Sequence, residues 1–337
     1  MRFRTEMSVW GVLFLLLPAT AALAVTHQVP TTFNTIQAAV NAASSGDVVV
    51  VASGTYAENL SIKSGVEVIG AGPDFTILDG GAQASTVFFP YGVNQNTRIE
   101  GFTIRNGKNQ KGGGIMISAG ASPTITNCFI RDNVADFRGG GIYMDGGGEP
   151  TIEFCTLQDN WAVEGAAVYV AGSNAELRWS VICSNSAEVK GGGVHIQNSM
   201  NAVVEHNTIA MNHLEEDHDF GCGLSIYSSI ATVSHNIIAW NTGGGGFWVN
   251  GSLINGVCNL GWANDETEGE CCFGDPGPIE FEVDPLFCDA ENCDLRLSGS
   301  SPALNPEGCG LIGALTIGCE FTPTENTSWG DIKKMYR

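Results

Sequence analysis

Short alternations of apolar and polar residues run through the middle of the chain and return in a fixed order. "TITNCFI", "GGGIYM" and "PTIEFCTL" show it within one stretch. A period of two belongs to a strand with one face buried, and none of these runs carries a helical period. The run behind the glycines recurs as "KGGGIMI", "RGGGIYM", "EGAAVYV", "KGGGVHI", "FGCGLSI" and "GGGGFWV". Its first apolar residue falls at Ile115, Ile142, Val168, Val194, Leu224 and Phe247, a spacing of 23 to 30 residues. Self-similarity on this scale marks a solenoid. With about three short strands per unit, the pattern predicts a parallel β-helix whose coils stack roughly 4.8 Å apart. A β-propeller needs four strands and about forty residues per blade, which these units cannot supply.

A second signature precedes each glycine run: "IRNG", "IRDN", "LQDN", "ICSN", "IAMN" and "IAWN". Its asparagines are Asn106, Asn133, Asn160, Asn185, Asn212 and Asn241. Five residues before the last five stand Cys128, Cys155, Ser180, Asn207 and Asn236, all small or polar. Stacked coils would align the asparagines into a hydrogen-bonded ladder. At the start, "NTIQAAVNAAS" places Ile36, Val40 and Ala43 on one helical face, with Asn34 and Gln37 spaced as a capping box. It reads as a short helix covering the first coil, followed by the strand "GDVVVVASGTY".

Composition narrows the function. Charged residues are 15%, glycines number 44 of 337, and the formal net charge is −21. Such a charge repels nucleic acid and tolerates divalent cations. "MRFRTEMSVWGVLFLLLPATAALA" has early arginines, a short apolar run and the small-residue ending Ala22-Leu23-Ala24. That is the form of a secretory signal peptide. The mature chain is then expected from about Val25, secreted, periplasmic or at the cell surface, with no membrane span. Seven of the 11 cysteines lie in the last quarter, which reads as disulfides in an exported chain. Cys309 with Cys319 is the short-range pair expected there, closing over the open end of the solenoid. Cys128, Cys155 and Cys183 read as plain buried residues. The expected organisation is signal peptide 1–24, β-helix 25–315 with its repeat core at 97–250, irregular Cys-rich coils at 251–319, and a tail at 320–337 that is disordered or sorting-related.

"FNTIQAAVNAASSGDVVVVASGTYAENLSIKSGVEVIGAG" resembles the opening of right-handed parallel β-helix proteins of the pectin lyase-like superfamily, and the repeats resemble its bacterial secreted members. "VDPLFCDAENCDLRLSGSSPALNPEGCGLIGAL" is similar to a segment that follows such repeats. The resemblance spans roughly Val29 to Leu315. It implies an all-β, right-handed solenoid and leaves the activity open, since lyases, hydrolases, esterases and adhesins share the fold. In polygalacturonase-like members, catalytic aspartates and a histidine stand at or before the strand matching "GGGIYM". Here those places are glycines or alanines. Neither the catalytic set of the pectinesterases nor the calcium-binding aspartates of the pectate lyases has a match in the repeat.

Two features carry candidate chemistry. The turn "HLEEDHDF" is longer than its equivalents "VADFR", "WAVE" and "SAEVK". Glu215, Glu216, Asp217 and Asp219 are candidate Ca²⁺ ligands, and Glu215, Asp217, His218 and Asp219 are candidate acids and bases. A solvated acidic loop is the competing reading. The outward position of each glycine-led strand holds Met116, Tyr143, Tyr169, His195, Ser225 and Trp248. Sugar rings pack on such aromatic surfaces, so Tyr143, Tyr169, His195 and Trp248 are candidate polysaccharide contacts; plain cross-strand stacking is the alternative. Three functions follow: a secreted protein that binds extracellular polysaccharide, a lyase or glycoside hydrolase on acidic polysaccharide, and a structural or adhesive surface protein.

Overall fold

A computed structural model describes residues 24–215, 221–264, 279–306 and 308–319. The predicted signal peptide, the tail, Cys271 and Cys272 lie outside the described residues. The chain is an all-β, right-handed parallel solenoid with almost no helix. Among the described residues each regular coil contributes one strand to each of four sheets. In one coil these are Thr124–Thr126, Phe129–Arg131, Val134–Arg138 and Ile142–Met144, and the next coil resumes at Thr151–Glu153. We call the sheets first, second, roof and third, in that order; they hold ten, ten, five and eight strands. Pairing is parallel and in register, as in Ile130↔Leu157↔Ile182.

The alternation read from sequence sets the core. Ile125, Ile152 and Leu177 point inward from the first sheet, Ile130, Leu157 and Ile182 from the second, and Ile142, Val168 and Val194 from the third, all in one buried cluster. Ile36, Ala39 and Val40 of the helix Ile36–Ala42 join it. The helix is capped otherwise than the capping-box spacing predicts. Its N-cap is Thr35, whose hydroxyl accepts from Ala38 N. The Glu58 carboxylate accepts from Ile36 N and Gln37 N. Gln37 turns away to bond Asn41 and Ser61.

Corners repeat as closely as strands. The turn from first to second sheet uses a left-handed residue at Asn127, Phe154, Trp179, His206 and His235. The turn toward the roof uses Asn106, Asp132, Asp159, Ser184, Met211 and Trp240. The residue after each then points into the coil. At the second corner this is Asn133, Asn160, Asn185, Asn212 and Asn241, all fully buried. Asn160 Oδ1 accepts from both Asn133 N (3.2 Å) and Asn133 Nδ2 (3.0 Å), and the pattern repeats up to Asn264. The other amide proton goes to a carbonyl of the coil below, from Ile104 for Asn133 to Ile209 for Asn241. From Asn160 to Asn241 all four bonding positions of each amide are filled, while Asn133 Oδ1 accepts from Gly107 N alone. Asn106 is not a rung. It sits one residue early, at the left-handed position, and bonds Asp79, while Gly107 N donates to Asn133 in its place. The first corner carries a shorter ladder, Ser180–Asn207–Asn236–Asn259. Cys128 and Cys155 fill its lower rungs as buried free thiols.

The C-terminal segment does not close the end of the solenoid. Its sheet, Phe287–Asp289, Asp294–Ser298 and Ile317–Cys319, lies on the outer face of the second sheet. There it buries Val181, Cys183, Ala210, Ile237 and Ala239 beneath Leu295, Leu297 and Ile312. The pairing expected between Cys309 and Cys319 is not formed: the bonds are Cys258–Cys309, Cys288–Cys319 and Cys183–Cys293. Cys183 is therefore no plain core residue. It points outward from the second sheet and anchors the returning segment.

Three outcomes follow. Asn160→Ala orphans buried groups in two coils and is expected to cost about 1–3 kcal/mol in chemical denaturation. Asn106→Gly, at an exposed left-handed corner, is expected to stay within about 0.5 kcal/mol. Removing Cys183 and Cys293 together is expected to expose the 279–319 segment to limited proteolysis before the coils are cut, with a loss of about 2–4 kcal/mol.

Candidate functional site

The third sheet carries the predicted row in register, Met116, Tyr143, Tyr169, His195, Ser225 and Trp248, and the structure extends it through Phe88 to Ser61. Its exposure differs from expectation. Tyr143 is 2% exposed, and Tyr169 and His195 are 0% exposed. They point away from the core, yet the roof covers them. The cause lies in the glycine run. Gly112, Gly139, Gly165 and Gly191 take φ near +65°, a backbone that folds the roof strand back over the third sheet. A Cβ on Gly139 would stand 2.8 Å from the Tyr143 side chain, and one on Gly191 2.8 Å from that of His195. The absent side chain is the space in which the row sits. Sugar rings therefore have no face of Tyr143, Tyr169 or His195 to stack on.

Within the row the rings pack on one another, Tyr143 to Tyr169 at 5.6 Å and Tyr169 to His195 at 5.0 Å between centroids. His195 Nδ1 bonds Ser225 Oγ at 3.0 Å. Above them lie the residues that precede the glycines, Lys111, Arg138, Glu164 and Lys190, aligned along the roof. Lys111 and Arg138 reach one coil ahead. Lys111 Nζ donates to Tyr143 OH at 3.3 Å, and Arg138 stacks over Tyr169 at 4.9 Å. Glu164 joins Arg138 at 2.8 Å and Lys190 at 3.1 Å. Burial alone would raise the Glu164 carboxyl; Lys190 and then Arg138 outweigh it and hold the group ionised below its ordinary range. Burial, then Glu164, pushes the Tyr169 phenol well up. Tyr169 OH nonetheless makes no hydrogen bond of good geometry, and neither does His195 Nε2. Burial first, then Lys190, lowers His195 to about 4, against the opposing pull of Glu164 and Gln197. Near neutral pH His195 in the covered row is an uncharged imidazole and Tyr169 an uncharged phenol.

The row is open where the roof ends. The first roof strand is Lys108–Lys111, so the earlier third-sheet strands Leu60–Ser61 and Val87–Phe89 have none. A groove of about 520 Å³ lies there. Its floor is Phe88, 37% exposed, and Met116. Asn59, Ser85 and Asn109 rim it, with Asn109 Nδ2 donating to Ser85 Oγ at 2.9 Å. Lys111, tied to Tyr143, forms its inner wall. No carboxylate lines it. At the other end of the row Trp248 is half-buried and stacks on Tyr227, which is 43% exposed.

The acidic turn is reached only at its edge. Glu215 Oε1 accepts from Trp161 Nε1 at 2.7 Å and from Ser186 Oγ at 3.4 Å, on the outside of the roof. Glu216, Asp217, His218 and Asp219 lie outside the described residues. Among the described residues no cluster of three or more His, Cys, Asp or Glu has the arrangement of a metal site.

The buried imidazole makes stability pH-dependent. The unfolded chain takes up the His195 proton below about pH 6.5, which the fold refuses until about pH 4. Stability should be full above pH 6.5 and fall as pH drops toward 4, by up to about 1.4 kcal/mol per pH unit. His195→Gln is expected to flatten this slope in urea unfolding at stepped pH. A smaller slope remains from His206, which burial and then His235 also hold below the ordinary value.

Comparison with known proteins agrees with the coil geometry. A family model described as the right handed beta helix region matches residues 91–260. Among solved structures, the chain is similar to a pectin methylesterase mutant in complex with a hexasaccharide. The identity is 11% and the TM-score 0.44, over 91% of this chain and 100% of that one. No curated protein matches the chain. With half its length matched and its sheets stacked coil on coil, the chain belongs to the right-handed β-helix family.

Proposed function

We propose that the protein is exported and binds extracellular polysaccharide in the open groove at the start of the third sheet. The groove's make-up carries this reading. A flat apolar floor of Phe88 and Met116 suits the face of a pyranose ring. Asn59, whose Nδ2 is held by the carbonyls of Gly80 and Ser85, and Asn109 turn amide groups toward its hydroxyls. Lys111 supplies a cation on a chain of net charge −21, so an acidic sugar would be drawn there rather than elsewhere.

Binding is favoured over cleavage at this place. An ordinary glycosidase holds two carboxylates about 5–9.5 Å apart, and the groove is lined by none. The lyase, hydrolase and Ca²⁺ readings of the sequence rest on the turn from Glu215 to Asp219. The Glu215 carboxylate is already engaged there by Trp161 and Ser186.

Glycan-array screening followed by calorimetry tests the reading. Phe88→Ala and Lys111→Ala are each expected to weaken binding about tenfold, the equivalent of about 1.4 kcal/mol. Tyr169→Phe, buried under the roof, should leave affinity unchanged. The proposal fails if neither neutral nor acidic polysaccharides bind, or if the groove variants bind like the parent.

A further inference from the structure

We propose that cleavage after Ala24 makes Val25 the first residue of the mature chain, and that its new α-ammonium completes a carboxylate site at Asp47 and fastens the first coil. The inference rests on the export part of the proposed function. Two independent observations meet at one bond. The sequence ends its apolar leader on Ala22-Leu23-Ala24. The fold places the nitrogen of the next residue, Val25 N, 2.8 Å from Asp47 Oδ1.

The Asp47 site is built before the amine arrives. The residue is 8% exposed. Its Oδ2 accepts from Ser44 N at 2.8 Å and faces His27 Nε2 at 3.2 Å. Ser44 N–H first, then Val25 N–H and His27, hold the carboxyl at about 2, so it is ionised at any working pH. Among the described residues His27 is its only ion-pair partner.

Val25 is positioned from both sides. Its carbonyl accepts from Val48 N at 3.0 Å, which anchors the residue beside Asp47 on the side opposite its nitrogen. Ala24 and Val25 are exposed, and the first described strand begins only at Thr26, so a cut here leaves every described strand whole. Before cleavage Val25 N offers one amide proton. Hydrolysis of the Ala24–Val25 peptide bond by water leaves a carboxylate on Ala24 and an ammonium on Val25. That ammonium has a full charge and three protons, and charge-assisted bonds to carboxylates are roughly twice as strong as neutral ones. Cleavage one residue to either side would lose this: a retained Ala24 carries the charge about 3.8 Å further out, and loss of Val25 removes the donor.

Two measurements test this. The full-length chain is produced in a secreting host, and the exported product is examined by intact mass and N-terminal sequencing. A start at Val25 is expected; an exported product starting elsewhere overturns the proposal while leaving export intact. A chain that stays uncut inside the cell overturns export and this inference together, but leaves the groove to its own binding test. Next, thermal unfolding is compared for the chain starting at Val25, its Nα-acetylated form and a form retaining Ala24, each with Asp47 and with Asp47→Asn. With Asp47, blocking or extending the amine should lower Tm by about 2–4 °C; with Asp47→Asn the three forms should melt together. Equal shifts in both backgrounds overturn the pairing. Should Asp47→Asn fail to fold, the same three forms are melted in 1 M salt, where the Debye length is about 3 Å. A difference that shrinks there supports the ion pair, and one that persists overturns it.

Discussion

Each coil is fixed to the next at its corners, and the buried corner amide is the constraint from which the other features follow. A left-handed residue costs about 1–2 kcal/mol for anything but glycine, and most coils accept it twice. The turn aims the following side chain inward, where a carbonyl of the coil below has no strand partner. Asn160 answers that carbonyl and also accepts two bonds from Asn133. A single coil cannot satisfy its own corner, because the acceptor for its amide belongs to the coil above. Stability is then a sum of neighbour terms. At the lower end Gly107 N takes the place of a rung below Asn133, and among the described residues Asn264 is the last rung above Asn241.

The same amides dictate the glycine run. A Cβ on Gly114 would come within 2.8 Å of Asn133 Nδ2, and one on Gly223 equally close to Asn241 Nδ2. The last glycine of the run is therefore small because the ladder lies against it. The first is glycine because the roof strand must reverse with φ above zero. Where the motif reads "EGAAVYV", Ala166 and Ala167 replace the second and third glycines, yet Gly165 remains at φ +62°. Ladder, reversal and covered row are thus three aspects of one turn. The ion pairs of Glu164 with Arg138 and Lys190 close the space the reversal leaves above the row.

What the sequence made legible was whatever depends on residues close together in the chain. Strand phase, repeat length and most of the ladder follow from local alternation and from spaced asparagines. Asn106 shows the limit. "IRNG" matches "IRDN" by composition, but its asparagine stands one place earlier in the same register, so it lands on the turn and Gly107 on the rung. The cover over Tyr143 was not legible for a related reason. Alternation tells which side of its own strand Tyr143 takes, not what arrives from the coil before. Lys111 stands 32 residues away and reaches it only through stacking. Its signal was present in the motif, since Lys111, Arg138, Glu164 and Lys190 each directly precede the glycines. The Cys183–Cys293 bond spans 110 residues with no pattern between them. Phe88 belongs to a coil without the glycine motif, so no repeat pointed to it.

The position of the groove follows from that same irregular coil. Between Asp79 and Val87 the chain runs "DGGAQASTV", with no roof strand and no reversal over the sheet. Phe88 is in register with Met116 and Tyr143, and its backbone differs little from theirs. Only the missing roof separates an exposed ring from a buried one. A groove made this way needs no dedicated loop and no strained residue of its own. Its floor side chains take no part in the asparagine ladder, so they can change while the coils stay locked. The face that is open on this solenoid is the one where the repeat has not yet begun to cover itself.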